Sequence, residues 1–153
     1  MNIDNRFDTE AVKKYRASIE KKKISLFLKL LFDKVLALIL LIPLSPIILG
    51  IAIWIKLDSE GPVFYRQERI TTYGRTFRIF KFRTMVKDAD KLGTAVTQQN
   101  DPRISKVGHK LRKLRLDELP QLINVLVGDM SFVGVRPEVA KYVDKYTDEM
   151  NAT

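Results

Sequence analysis

Asp117 and Glu118 are the side chains of this sequence whose types and neighbours best suit chemistry. They stand side by side just ahead of Pro120, directly behind Lys110-Leu111-Arg112-Lys113-Leu114-Arg115, which packs four cations into six residues. Two readings compete. An Asp followed by Glu and then Pro makes a good helix N-cap with an acidic first turn, and LDELP taken alone is more often a cap than a catalyst. The same arrangement suits phosphate chemistry. A helix N-terminus and nearby cations hold Asp117 ionised, as a carboxylate nucleophile or a Mg²⁺ ligand must be. Arg112, Arg115 and Arg136 can then take up phosphoryl charge, because a guanidinium pairs well with phosphate oxygens. Magnesium is usually held by one or two carboxylates plus substrate phosphates, and attack at phosphorus needs positioning and charge neutralisation above all.

Composition narrows the alternatives. With no cysteine, a disulfide framework, a thiolate zinc site and a Cys nucleophile are all excluded. A single histidine, His109, rules out poly-histidine metal sites and leaves carboxylates, hydroxyls, Lys, Tyr or an oxygen-bound metal to carry any catalysis. The net charge of +9 is concentrated between residues 56 and 116, which carry fifteen cations and six acids, whereas residues 117–153 carry three and seven. Such a cationic block attracts phosphates: a nucleotide, a lipid headgroup or a nucleic acid. The acid pair sits at the seam between the two regions.

The elements that must position the pair begin with a membrane segment. Residues 1–23 are polar and end in Lys21-Lys22-Lys23, which predicts a solvated or interfacial segment. The apolar run starts too late for a cleaved signal peptide, and no small-residue cleavage site follows it. Residues 35–55 contain no charge. Twenty-one residues at ~1.5 Å each reach roughly 32 Å, enough to cross a ~30 Å hydrocarbon core. Pro43 and Pro46 fall near the middle and predict a kink or break. Ser45 can hydrogen-bond a freed carbonyl, which makes Ser45-Pro46 a tolerable break point in lipid. Both flanks are basic, with Lys29 and Lys34 on one side and Lys56, Arg66 and Arg69 on the other, so the charge asymmetry of a true span is missing. A re-entrant helix–break–helix satisfies both observations better than a kinked span. Lys29 and Asp33, four apart, share a helix face at the membrane boundary as an ion pair or anchor.

Beyond Gly61-Pro62, PVFYRQERI and RTFRIFKFRTM read as a hairpin around Thr72-Tyr73-Gly74, with Phe77, Ile79 and Lys81 on one face. Lys81 and Arg83 at its end suit anion binding or plain solvation. Residues 88–103 read as a loop. ISKVGHKLRKLRL reads as a basic amphipathic helix with Ile104, Val107, Leu111 and Leu114 on one face, which predicts a membrane surface. PEVAKYVDKYTDEM places Val139, Tyr142, Val143 and Tyr146 at helical spacing, as core packing does.

Taken in order, Ser45-Pro46, GPVFYRQER (61–69), FKFRTM (80–85), NDPRI (100–104), LDELPQLINVL (116–126), GDMSFVG (128–134) and Arg136-Pro137 resemble the bacterial sugar transferase family, the monotopic polyprenyl-phosphate phosphoglycosyl transferases. The match runs from about Lys29 to Pro137, and the 116–134 block is highly specific. The resemblance implies transfer of a sugar 1-phosphate from a UDP-sugar to polyprenyl (undecaprenyl) phosphate, with release of UMP. It would be the first membrane step of an exopolysaccharide, capsule or O-antigen. It implies Asp117 as nucleophile forming a phosphosugar intermediate and as Mg²⁺ ligand, Glu118 as its partner, Arg136 as a phosphate-binding residue and Ser45-Pro46 as the re-entrant break. It also places the chain at the cytoplasmic face of the bacterial inner membrane and leaves room for a homo-oligomer.

The sequence departs from the family pattern at Leu30, where Lys-Arg-x-x-Asp becomes Lys29-Leu30-x-x-Asp33, at Thr71, where Arg-x-Gly becomes Arg69-Ile70-Thr71, and at Val135 before Arg136. It also ends at Thr153, ahead of a Gly-containing motif usual in the family. The expected fold is α+β, mainly helical and membrane-associated: a polar segment over 1–23, a re-entrant helix over 24–57 and one cytoplasmic catalytic domain over 58–153, built from amphipathic surface helices and a small β-hairpin. The rival from another class is a catalytically silent membrane-anchored interaction module of the same fold. A nucleic-acid binder is set aside, since the cations cluster beside an acid pair and an apolar segment without a recognition-helix or RNA-motif signature.

Overall fold

The structure is a computed structural model that describes residues 10, 12–14, 17, 21–71, 75–89, 101–135, 137–139 and 143. Its largest element, α1, runs Lys23–Asp58 with Pro43 and Pro46 inside it. At ~1.5 Å per residue it is about 54 Å long, more than a bilayer's hydrocarbon thickness. Pro46 lacks the amide that would bond the Ile42 carbonyl, and Ser45 Oγ donates to that oxygen at 2.7 Å instead, as the Ser-Pro pairing predicts. Only 11% of its most apolar eighteen-residue window is buried, which distinguishes α1 from the core helix of a soluble protein. It is long and apolar enough to cross a membrane by length and composition.

The helix stops at Ser59, whose backbone is extended. Gly61 then turns the chain with φ of 117°, a region L side chains rarely adopt. β1 (Phe64–Ile70) and β2 (Thr76–Phe82) pair antiparallel in the register Phe64↔Phe82 to Ile70↔Thr76. Alternation along β2 places Phe77 and Ile79 inward with Lys81 on the same face, as the sequence predicts. On the other face Phe64 stacks on Phe82, and Arg66 lies 3.5 Å from the centre of the Phe80 ring. The residues Thr72 to Gly74 and 90–100 fall outside the described residues; directly after the latter, Asp101 holds Arg103 through both carboxylate oxygens, at 2.9 and 2.6 Å. A bridge from Met85 to Ile104 ties that turn to the end of β2.

Helix α2 (Lys106–Lys113) starts at Ser105, whose hydroxyl accepts from the Gly108 amide at 3.0 Å. Asp58 Oδ2, at the end of α1, accepts from the Val107 amide. Here the structure corrects an expectation. The apolar face of α2 does not lie on a membrane: Val107 and Leu111 pack with Ile51 and Ile55 of α1 and with Phe82, forming the core. Leu114 alone of the predicted face is exposed. Periodicity reports that a helix face is apolar; it does not say what covers it.

After α2, Arg115 adopts left-handed backbone (φ 57°), and Leu116–Glu118 form a 3-10 turn before α3 (Gln121–Val127). Pro120 explains the tight winding. It has no amide to offer the Leu116 carbonyl four residues back, so Leu119 takes that carbonyl at 3.2 Å. Asn124 pins α3 to β2. Its fully buried side chain accepts from the Phe80 amide at 2.8 Å and donates to the Arg78 carbonyl at 3.1 Å, satisfying strand groups that have no third strand to pair with there. Val143 packs on Ile70, and its amide reaches the Val139 carbonyl, in keeping with the helical spacing read there; Tyr142 and Tyr146 fall outside the described residues.

Candidate active site

The acid pair is held from below by its neighbours. Leu116 and Leu119, on either side of it, pack against the core formed by α1, β2 and α2, so the 3-10 turn is anchored and its two carboxylates are presented together. Asp117 is 8% exposed. It caps nothing: α3 begins four residues later, and neither the 3-10 turn nor α3 has a side-chain cap. The cap reading is thereby corrected. Among the described residues, Asp117 Oδ1 is buried without a hydrogen-bond partner. A buried, unpaired carboxylate oxygen is costly unless something else engages it.

The surroundings of Asp117 are cationic. Lys81, the penultimate residue of β2, donates to Glu118 Oε1 at 2.9 Å. Arg112 Nε donates to Thr84 Oγ1 at 2.8 Å, and its charge acts on Asp117. Burial pushes the Asp117 carboxyl above its ordinary value; Lys81 pulls it down, Glu118 pushes it up, and Arg112 pulls it down. The site therefore brings together Asp117, Glu118, Lys81 and Arg112 from β2, α2 and the turn. Thr84, which orients Arg112, carried no role of its own in the sequence; its place inside the FKFRTM motif was the available signal.

One of the predicted phosphate ligands is placed otherwise. Arg83 is buried, and its guanidinium donates to the carbonyls of Ser59 and Glu60 at 2.6 and 2.8 Å and to Ser59 Oγ at 3.0 Å. It closes the C-terminal end of α1, where a cation is favoured by the helix dipole, and no described contact joins it to the acid pair. Gly61 makes that possible: a Cβ there would fall 2.2 Å from Arg83 Nη1. Arg136 lies outside the described residues. The segment after it is pinned to β1, with the Ile70 amide donating to the Glu138 carbonyl at 2.8 Å and Arg69 Nη1 to that of Pro137 at 3.3 Å.

The membrane-boundary pair forms as predicted and gains a third member. Lys29 Nζ lies 3.1 Å from Asp33 Oδ2, and Ser131 Oγ donates to the same oxygen at 2.6 Å, with Lys29 also bonded to Ser131. Asp33 is buried in this cluster. Nothing local in the sequence announces a contact across ninety-eight residues; the place of Ser131 inside the GDMSFVG motif was the one available signal.

Among the described residues, the acid pair on its 3-10 turn, set in cations, shares the chain with one helix long and apolar enough to cross a membrane, and the chain belongs to the bacterial sugar transferase family, whose model matches residues 24–153. Its relatives specify the class further. UDP-N-acetylgalactosamine-undecaprenyl-phosphate N-acetylgalactosaminephosphotransferase of Aeromonas hydrophila is 47% identical over 117 residues, 76% of this chain and 28% of that protein. UDP-glucose:undecaprenyl-phosphate glucose-1-phosphate transferase of Escherichia coli K12 is 47% identical over 124 residues, 80% of this chain and 26% of the relative. A Bacillus subtilis protein provisionally named undecaprenyl-phosphate N-acetylgalactosaminyl 1-phosphate transferase is 39% identical over 150 residues, 98% of this chain and 83% of its own length.

Proposed function

We propose that this chain transfers a sugar 1-phosphate from a UDP-sugar to undecaprenyl phosphate and releases UMP, at the cytoplasmic face of the bacterial inner membrane, as an opening step of glycan assembly. The observation that carries the reading is Asp117: a buried carboxylate with an unpartnered oxygen, beside a Lys81–Glu118 pair and an oriented Arg112. The activities of the relatives supply the substrate class.

In this mechanism the free Asp117 carboxylate oxygen attacks the sugar-bearing phosphorus. The bond to the bridging oxygen breaks, and UMP leaves with that electron pair. The oxygen of undecaprenyl phosphate then attacks the same phosphorus and displaces Asp117, regenerating the carboxylate. Arg112 and Lys81 counter the charge that builds on the phosphoryl oxygens, and Thr84 keeps Arg112 in place. Glu118 holds Lys81 and, on the motif resemblance, assists Asp117 by orientation or proton handling. Arg136 joins the phosphate ligands on that resemblance alone. With Asp117 Oδ1 as the attacking atom, the other oxygen of the same carboxylate would be the one to hold a Mg²⁺ ion shared with substrate phosphates. When bound, the ion would supply charge neutralisation at the diphosphate.

Two features support a re-entrant α1. Residues 33 and 55 of a straight helix lie about 33 Å apart, so a span would set them on opposite sides of the bilayer. Yet Asp33 is bonded to Ser131 just beyond α3, and Ile55 packs on Phe82 and Leu111, while α3 is itself fastened to β2. Both ends of α1 thus meet one small unit, and Ser45-Pro46, where the re-entrant reading sites its break, lies between them inside the helix. Trp54, with the Lys110 ammonium 5.3 Å from its ring, suits the returning boundary.

The test is UMP release by the purified chain in nanodiscs with Mg²⁺, undecaprenyl phosphate and a panel of UDP-sugars. Lipid-dependent release with one sugar establishes the activity; no release with any sugar would leave the silent module as the better account. The pH profile tests the site further. Attack needs Asp117 ionised, and burial raises its pKa, so activity falls as pH drops through that raised value. Because Lys81 pulls the value down, Lys81→Met should move the acid limb of kcat/KM to higher pH. A limb that stays in place would remove Lys81 from the electrostatics of Asp117.

A further inference from the structure

Between α3 and Pro137 the chain runs Gly128 to Val135, and its side chains are sorted by polarity. Ser131 is the one polar side chain of residues 130–135, and it turns inward to Asp33 and Lys29 of α1. The Phe132 amide is directed at the same carboxylate. The apolar side chains go the other way: Val133 is 76% exposed and Val135 73%, with Phe132 and Val127 also exposed. Four large apolar side chains on one short stretch, beside a half-buried ion pair, are more than scattered surface residues.

The position of this loop says what covers it. Asp33 and Lys34 are the last charges before the uncharged run of α1, so they mark the depth at which that helix enters lipid. Ser131 is fastened to Asp33 at that level, and Gly128 lies against the Lys34 side chain, where a Cβ would come within 3.4 Å of its stem. The exposed valines, two and four residues past Ser131, are thereby tethered near the level at which the uncharged surface of α1 begins. Lys34 beside them is placed for an anionic headgroup, and its stem can lie along the apolar boundary.

We propose that residues 132–135, latched to α1 by the Ser131–Asp33–Lys29 cluster, form a second membrane contact that dips into the acyl boundary of the bilayer beside the entry point of α1. This deepens the membrane reading above and rests on it. The consequence for the site is mechanical. Arg136 follows directly on the inserted residues, and Pro137 and Glu138 are fixed to β1, so lipid on one side and the hairpin on the other would limit where the chain can carry that arginine.

The absence of native cysteine permits a clean test. Val133→Cys, Val135→Cys and, at the expected apex of α1, Ile47→Cys are each labelled with NBD on the full chain. They are reconstituted into phosphatidylcholine–phosphatidylglycerol liposomes with and without doxyl lipids. The proposal expects blue-shifted emission and doxyl quenching at both valine positions, at a depth of about 5–10 Å below the headgroup boundary, with Ile47 deeper. Water-like emission at either valine with Ile47 quenched would overturn the proposal and leave the membrane reading standing. Water-like emission at all three would overturn both. A blue shift at the valines without doxyl quenching would mean that protein, such as a second copy of the chain, covers the loop, and would also overturn it.

Discussion

Asp117→Asn should lower lipid-dependent UMP release by at least about 10³-fold, while leaving the protein as stable as the parent or more so. The amide keeps the shape of the carboxylate but has no negative oxygen with which to attack phosphorus. The stability half of the prediction follows from the pKa. Burial raises the Asp117 carboxyl above its ordinary value, so the folded state holds that proton more tightly than the unfolded chain does. Stability contributed by this group therefore decreases as pH rises from the unfolded value through the folded one, and near neutrality the ionised side chain opposes folding. Removing its charge relieves that cost. Melting temperature near neutral pH, measured beside UMP release, separates the two effects: a variant that melts early and is inactive has lost its fold, not its nucleophile. A variant that keeps parental release would remove Asp117 from the reaction. Acid-quenched mass spectrometry of the parent with its donor sugar adds a direct check, since a phosphosugar adduct should map to the peptide bearing Asp117 and vanish in the variant.

A site so expensive to keep explains why the residues around it were only partly legible in the sequence. The acid pair, the cations ahead of it, the hairpin with its register face and the Ser45-Pro46 device all depend on local chemistry, which a linear reading captures. What escaped was the role of each contact at long range. LDELP obeys the rules for a helix cap, yet the turn is wound as 3-10 by Pro120 and leaves Asp117 Oδ1 unpartnered; a local rule broken without local compensation is what a functional site does. The stripe on α2 was visible, but whether lipid or Phe82 covers it is decided by where the C-terminal end of α1 lies. Arg83 and Ser131 could be assigned only once the ends of α1 were placed beside them.

Gly108→Ala should unfold the site from the opposite direction. A Cβ at Gly108 would sit 2.0 Å from the Thr84 carbonyl oxygen and 2.7 Å from its carbon, both backbone atoms with no rotamer to retreat into. Thr84 cannot yield easily. Its carbonyl accepts from the Ser105 amide at 3.0 Å, its neighbour Met85 bridges to Ile104, and Arg83 on the other side donates from its amide to Val63. So α2 must lift from the end of β2, which opens the contact of Val107 and Leu111 with Phe82 and Ile55 and pulls Arg112 from Thr84 Oγ1. Overpacking of this kind costs about 2–4 kcal/mol, a fall in melting temperature of order 10 °C for a domain of this size. Gly50→Ala is the control, because a Cβ there meets nothing within 4 Å and the parental melting temperature should persist. If Gly108→Ala melts with the parent, the close approach of α2 to the strand end is not a feature of the protein in solution. If it melts early, activity should fall with it, because the same displacement moves Arg112 and the turn carrying Asp117, which begins three residues after α2 ends. That joint loss is the reverse of the Asp117→Asn signature, in which activity disappears and the fold does not.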